Sequence, residues 1–294
     1  MGPENWCLQT YATLRRSGFD ATCSNRFERF AINVAHVASI KPFSVPCNSF
    51  VVGVRADYPP IALAQIHVVQ NQSQADSSSV WIPHWPQPGL VPRSSNRDGI
   101  KTVAYAGQGY YLAGRRTEWE AECRRLGLNF RMMTPRNWHD FSEVDIAIAI
   151  RTFDDYAYDK KPPTKLFNAW HAGVPCIAGP DSAYQQVGSP GVDYLIARTF
   201  STAVSSIERL CHDPLLYQQI VANGQQSVSN YSREKIADVW TAFFDVVARP
   251  RFADWCRVGD RSRSRWMLIN SGRLARTLLK KARQKLLGPA GFKR

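Results

Sequence analysis

The sequence predicts an α/β chain of two small doubly wound units, each on a parallel sheet, followed by a basic helical tail. Three observations predict it. Short β-branched or apolar runs alternate with helical patterns and polar turns over most of the 294 residues. Residues 82–90 hold Pro83, Pro86 and Pro88, too many for a helix or a central strand, and so mark a linker. Of the formal charge of +13, residues 251–294 carry +11, which leaves +2 for the first 250. The expected domains are 1–92, 93–250 and the tail 251–294.

In the first unit, residues 5–18 place Cys7, Leu8, Tyr11 and Leu14 at helical spacing and stop at Gly18. Strand-like runs follow at 19–23, 32–37, 50–54 and 66–69, each bounded by polar or proline-containing turns. Their ends carry His36, Arg55, Asp57, Gln70 and Asn71, where α/β folds place ligand contacts, although each also suits an ordinary turn. His36 is the acid–base candidate, since a histidine titrating near neutrality can bond a hydroxyl or accept its proton. Gly2, Asn5 and Gln9 are candidates at the first turn, with capping and solvated surface as the competing reading.

In the second unit, residues 102–106 form a strand candidate running into Gly107-Gln108-Gly109, and 118–126 a helix closed by Gly127. Gly114 falls at the wrong spacing for Gly-x-Gly-x-x-Gly, which argues against a nicotinamide enzyme. The Gly107 loop is instead suited to approach a diphosphate by its backbone, with Arg115 and Arg116 either assisting or simply solvated. Residues 145–150 form an apolar run of buried-strand length that ends at Arg151. Arg151 reads as a phosphate contact or as a salt bridge to Asp154 or Asp155.

The most informative stretch is 160–177, Lys-Lys-Pro-Pro-Thr-Lys-Leu-Phe-Asn-Ala-Trp-His-Ala-Gly-Val-Pro-Cys-Ile. Two prolines open a short helix and Gly173 closes it. Leu166, Phe167, Ala169 and Trp170 fall on one side, while Lys161, Lys165 and Asn168 share the other, which is expected to carry charge. Lysines in a first turn oppose the helix dipole unless an anion sits there, so the N-terminus at Thr164 suits a phosphate; solvated surface is the competing reading. A β-prone run to Ala178 and the loop Gly179-Pro180-Asp181-Ser182 complete a helix–strand–loop order, placing Asp181 and Ser182 beyond a strand's carboxyl end. Helical patterns at 201–210, 214–223 and 232–247 complete the unit.

From Lys161 to Tyr184 this segment resembles the donor-binding segment of retaining glycosyltransferases with the GT-B fold. It is most similar to a divergent subgroup with Lys-Pro-x-x-Lys-Leu-x-Asn-Ala-Trp at this place, and the likeness extends over most of residues 1–245. The family shows two glutamates separated by seven residues; here Lys160 and Asn168 occupy those positions, while Ala-Gly-Val-Pro survives. The resemblance implies two Rossmann-like domains facing a cleft, and a strand ahead of the first helix, where this sequence opens at the turn. It implies transfer of a sugar from a nucleotide-diphosphate donor to a carbohydrate, lipid or protein hydroxyl, with retention, no metal and no cofactor beyond the donor. Lys165, Arg151 and His36 are then the catalytic candidates. Gly107, Lys161, Thr164, Lys165, Asn168, Asp181 and Ser182 are the donor-binding ones. The competing functions are a nucleotide-sugar-binding protein without catalysis and an adaptor acting through its tail.

Seven scattered cysteines without a Cys-x-x-Cys pair indicate neither a disulfide framework nor a zinc site, and small core positions are expected for most. No apolar run is long enough to span a bilayer and no leader pattern opens the sequence, so a cytoplasmic protein is expected, peripheral at the inner membrane face. In the tail, residues 273–287 place Leu274, Leu278, Leu279, Ala282 and Leu286 on one side against Arg276, Lys280 and Arg283, as in a helix lying on an anionic membrane. Packing on the body is the alternative. Nucleic acid is disfavoured by charge confined to the tail and by the lack of any helix-turn-helix or zinc pattern.

Overall fold

The computed structural model describes residues 4–286. Two compact units emerge. The first contains the chain up to Val69, Ala75–Ile82 and everything described from Ala237 on; the second contains Gln70–Gln74 and Pro83–Ile236. Gly2 lies outside the described residues.

In the first unit a π-helical turn, Glu4–Leu8, leads into α1 (Gln9–Arg16), and Gly18 at φ 79° supplies the left-handed stop. The sheet comprises β1 (Ile32–His36), β2 (Phe50–Ala56), β3 (Ile66–Val69) and β4 (Ser79–Trp81), parallel and laid side by side in chain order. β2 is buried throughout, as a Val-rich central strand of a parallel sheet should be.

The second unit has β5 (Thr102–Ala106), α2 (Arg116–Arg125), β6 (Asn129–Met133), β7 (Ile146–Ala149), α3 (Thr164–Ala172), β8 (Cys176–Ala178), α4 (Ser182–Val187), β9 (Leu195–Ile196), α5 (Phe200–His212) and α6 (Pro214–Val228). Its parallel sheet runs β6-β5-β7-β8-β9. Strand alternation divides the core by size. Val103, Tyr105, Ile146, Ile148 and Ile177 join Trp119, Cys123, Ile207 and Ile220 in one cluster. The alternate residues Ala104, Ala147, Ala149, Cys176 and Ala178 are small and share the other cluster with Leu166, Phe167, Ala169 and Trp170 of α3. Small side chains let this helix lie close to the sheet.

A buried carboxylate fixes the start of β7. Asp145 is fully buried and accepts bonds from Arg93 Nε (2.8 Å), Arg97 Nε and Nη2 (2.9 and 2.6 Å) and the backbone N–H groups of Lys101 and Thr102 (both 2.9 Å). Every lone pair is thereby used, as a charge removed from water requires.

α7 (Arg233–Phe243) carries the chain from the second unit into the first. A π-helical stretch, Phe244–Ala248, α8 (Arg249–Arg257) and α9 (Asp260–Leu286) follow. Met267 and Leu274 of α9 are buried in a cluster with Ile40, Val45, Val51 and Leu63, and Phe43 N–H donates to Ser271 Oγ (3.2 Å).

Four expectations need correction. Residues 19–23 form no strand: Phe19 turns inward onto Phe244 (ring centroids 4.9 Å apart), with Arg249 over its ring. β4 and β6 were not expected, because β4 is only three residues long and Arg131 interrupts the apolar pattern of β6. Of the cysteines, only Cys123 and Cys176 are fully buried, while Cys23 and Cys256 are exposed. The tail helix begins at Asp260, well before 273, and its Leu274 is spent on packing within the first unit; Leu287 lies outside the described residues.

Candidate functional site

In a doubly wound sheet, a crevice opens beyond the carboxyl ends of two neighbouring strands whose connections leave in opposite directions. Within the second unit those strands are β5 and β7, since the order runs back from β5 to β6 and forward from β7 to β8 and β9. The residues following them are Gly107 and, one past Ile150, Arg151. The two sequence candidates thus fall at the one switch point of this sheet.

Gly107 is required sterically. A Cβ there would sit 2.8 Å from Tyr105 Cε1 and 3.0 Å from Lys165 Cε, so the Lys165 stem crosses directly over this backbone. Lys165 Nζ ends 5.2 Å from the Tyr105 ring centroid, and the Tyr105 hydroxyl donates to Tyr111 O (2.7 Å). Lys161 Nζ lies 5.0 Å from the Tyr111 ring, and the Arg151 guanidinium 5.7 Å from the Tyr158 ring. Each of the three cations therefore has a tyrosine face.

Arg151 Nε donates to Asp181 Oδ2 at 2.7 Å, and both side chains are almost wholly buried. This replaces both salt bridges considered from the sequence. Asp154 instead accepts from Thr152 and from Tyr156 N–H, and Asp155 pairs with Arg198. Asp181 stands at the N-cap of α4 but makes no side-chain cap, because its carboxylate is turned to Arg151; its Oδ1 has no hydrogen-bond partner among the described residues.

The half-buried Lys165 thus lies within electrostatic reach of a buried arginine–carboxylate pair. Burial, then the Arg151 charge, holds the Lys165 ammonium well below its ordinary range. Burial raises the Asp181 carboxyl against the pull of Arg151, and lifts the phenol of Tyr184 beside them. On Arg151, burial is outweighed by Tyr184 and Asp181, so it stays charged. Among the described residues Asp181 is the one carboxylate set against Lys165 and Arg151, which leaves a deficit of negative charge. The N-terminus of α3 adds to that deficit, for Pro163 is its N-cap and no side chain caps it.

The remaining candidates are placed as follows. Thr164 is half-buried in the first turn of α3. Asn168 corrects the expectation of a charged face: it is 4 % exposed, and its Oδ1 has no partner among the described residues. The reason is α6. A Cβ at Gly224 would lie 2.3 Å from Trp170 Cδ1, so α6 rests directly on α3, leaving only Thr164, Lys165 and His171 partly accessible. Ser182 Oγ accepts from Asn71 Nδ2 (3.0 Å), which also donates to Lys161 O (3.1 Å), while Gln186 Nε2 donates to Asn71 Oδ1 (3.0 Å). Asn71 is thereby a brace holding the Lys161 and Ser182 loops. Arg115 and Arg116 pair with Glu118 and Glu120 on the surface of α2.

His36 belongs to the first unit, at the end of β1. It is buried, its Nδ1 accepts from Ala38 N–H (3.2 Å), which places the proton of the neutral ring on Nε2, and it meets the Tyr58 ring edge-on at 5.2 Å. That unit also holds a pocket of about 930 Å³ lined by Tyr11, Phe19, Asn33, Phe244 and Phe252, among others; none of the candidates lines it. Sequence reasoning missed Tyr105, Tyr111, Tyr158 and Tyr184. No spacing rule links a tyrosine inside a strand run to a lysine sixty residues on.

The fold and this centre define the chain as an α/β protein of two parallel-sheet units, with an anion-deficient cationic cluster at the switch point of the second. No protein-family model matches the chain, and comparison with curated proteins finds no significant match. Among solved structures it is similar to Anabaena Alr3699/HepE in complex with UDP and glucose, with 11 % identity over 68 % of this chain and 72 % of that one and a TM-score of 0.49. It is also similar to sucrose-phosphate synthase from Thermosynechococcus elongatus (14 % identity, 70 % and 69 % covered, TM-score 0.49). A third is AviGT4, a glycosyltransferase of avilamycin A biosynthesis (13 %, 73 % of each chain, 0.48). At these values the likenesses assign no activity to this chain.

Proposed function

We propose that this chain is a glycosyltransferase of the GT-B type that moves a sugar from a nucleoside-diphosphate donor to an acceptor hydroxyl, with retention and without a metal ion. One observation carries the reading: the buried Arg151–Asp181 pair and the half-buried Lys165 come together at the β5/β7 switch point, with an uncapped helix N-terminus alongside. Such a centre favours a dianionic group. A diphosphate leaving the anomeric carbon gains charge as the bond breaks, and preorganised cations there lower the barrier more than they stabilise the bound ground state. Lys165 meets that charge, Arg151 is held in place by Asp181, Gly107 offers backbone, and Asn168 offers an unsatisfied amide oxygen to a donor hydroxyl. The Lys-Pro-x-x-Lys-Leu-x-Asn-Ala-Trp resemblance supports the same assignment. His36 is the acceptor-side candidate in this reading.

The test is calorimetric titration with uridine, guanosine and adenosine diphosphates and their sugars, followed by transfer assays with the base that binds. Lys165→Ala is expected to cut turnover roughly a hundredfold while leaving the melting temperature no lower. Undiminished turnover in the variant would remove Lys165 from the mechanism. A second reading, nucleotide-sugar binding without catalysis, is favoured by Lys160 and Asn168 standing where the family has glutamates. Donor hydrolysis or transfer excludes it.

A further inference from the structure

α9 has two opposite ridges. The inner one, Arg263, Met267, Asn270 and Leu274 at spacings of four, three and four, is buried in the first unit. The outer one, at the same spacings, is Arg261, Arg265, Leu268, Gly272, Arg276, Leu279 and Arg283, and runs about 33 Å along the helix. Its apolar members are large and open to solvent: Leu268 is 66 % exposed, Leu279 69 % and the neighbouring Ile269 45 %. Nothing among the described residues covers them.

The charge on this helix is one-sided. Residues 260–286 hold nine Lys/Arg and one acid, Asp260. That acid pairs with Arg263 on the inner ridge. Among the described residues Arg261, Arg265, Arg276, Lys280, Lys281 and Arg283 make no ion pair, so the outer ridge and its flanks present uncompensated cations around exposed leucines. A soluble surface gains nothing from leucines in water. A basic helix with an apolar ridge is the pattern that seats in the headgroup layer of an anionic bilayer, leucines among the acyl carbons and arginines on the phosphates. No described helix is long and apolar enough to cross a membrane, so the contact lies along the surface.

We propose that the outer ridge of α9 is a docking surface for an anionic phospholipid membrane. The inner residues are spent on folding, which moves the membrane face away from Leu274 and onto Leu268, Ile269 and Leu279. The inference stands independently of the donor-site reading.

The experiment is cosedimentation of the full chain with vesicles of phosphatidylcholine plus phosphatidylglycerol, and with phosphatidylcholine alone. Wild type is expected to bind the mixed vesicles, to release as salt is raised, and to ignore the neutral ones. Leu268→Glu/Leu279→Glu and Arg265→Glu/Arg276→Glu should each lower partitioning at least about tenfold with unchanged melting temperature. Arg124→Glu, on exposed α2, should bind as wild type. Equal binding to neutral vesicles, outer-ridge variants that bind like wild type, or failure of the folded wild type to bind mixed vesicles would each overturn the proposal; in the last case the ridge serves another kind of partner.

Discussion

The two sheets of this protein differ in strand order, and so in where a switch point can arise. The first runs β1-β2-β3-β4 in chain order, so every connection steps the same way and no switch point arises among the described strands. The second reverses at β5, and beyond β5 and β7 it holds Gly107, Arg151, Lys165 and Asp181. Both sheets are parallel, and both have a fully buried central strand built largely of valine, isoleucine and alanine. Strand order, and not composition, separates them. The buried carboxylates follow: the second unit invests one, Asp145, in two arginines to fix a strand, and another, Asp181, in holding Arg151 beside a lysine that makes no ion pair among the described residues.

The largest test of this contrast is Asp145→Ala. It leaves Arg93, Arg97 and two N–H groups facing a void, and is expected to cost about 3 kcal/mol or more in denaturant unfolding of the full chain. A loss below about 1 kcal/mol would show that the arginines simply turn to water.

A pH series addresses both units together, because each buries a histidine whose protonation is disfavoured. Burial, then the Arg55 charge, pushes His67 in the first unit down to about 4, and burial does the same to His84 in the second, also to about 4. Their ordinary value is 6.5. The folded state therefore binds fewer protons than the unfolded one between these values. Stability is full above pH 6.5 and falls as the pH drops toward 4, by about 1–3 kcal/mol per histidine. His84→Phe, whose ring can keep the contact with Phe167 (5.0 Å), should flatten the second unit's share of this fall. An unfolding free energy constant over that range would contradict the burial of both.

The smallest expected effect is the most discriminating. The Lys165 ammonium is depressed in the folded chain, so it costs stability at every pH below its unfolded value, and the cost disappears as the pH climbs toward that value. Lys165→Met should raise the melting temperature at neutral pH by a degree or more while abolishing nucleoside-diphosphate binding. A lysine kept for stability would give the opposite sign.

Much of the fold was legible because it rests on local rules. The opening prolines and the Gly173 stop (φ 70°) delimit α3, and the apolar runs at 50–54, 102–106 and 145–150 hold strands. Residues 19–23 misled because an aromatic and two small residues suit a strand or a loop, and only a neighbouring strand decides; here Phe19 found Phe244 instead. In the site, Gly107, Arg151, Thr164 and Lys165 were legible as strand-end and helix-start residues, while the pairing of Arg151 with Asp181 and not with its sequence neighbours was not.

By itself, then, the sequence determined the two α/β units, the limits of α3, its lysines and the basic tail, since periodicity, caps and charge act within a few residues. Tertiary structure alone decided that Asn168 is buried, that tyrosines underlie the cations, that the second sheet reverses at β5, and which ridge of α9 remains outside. These depend on which distant segments pack together, and a buried charge or an exposed leucine acquires its meaning only from what covers it.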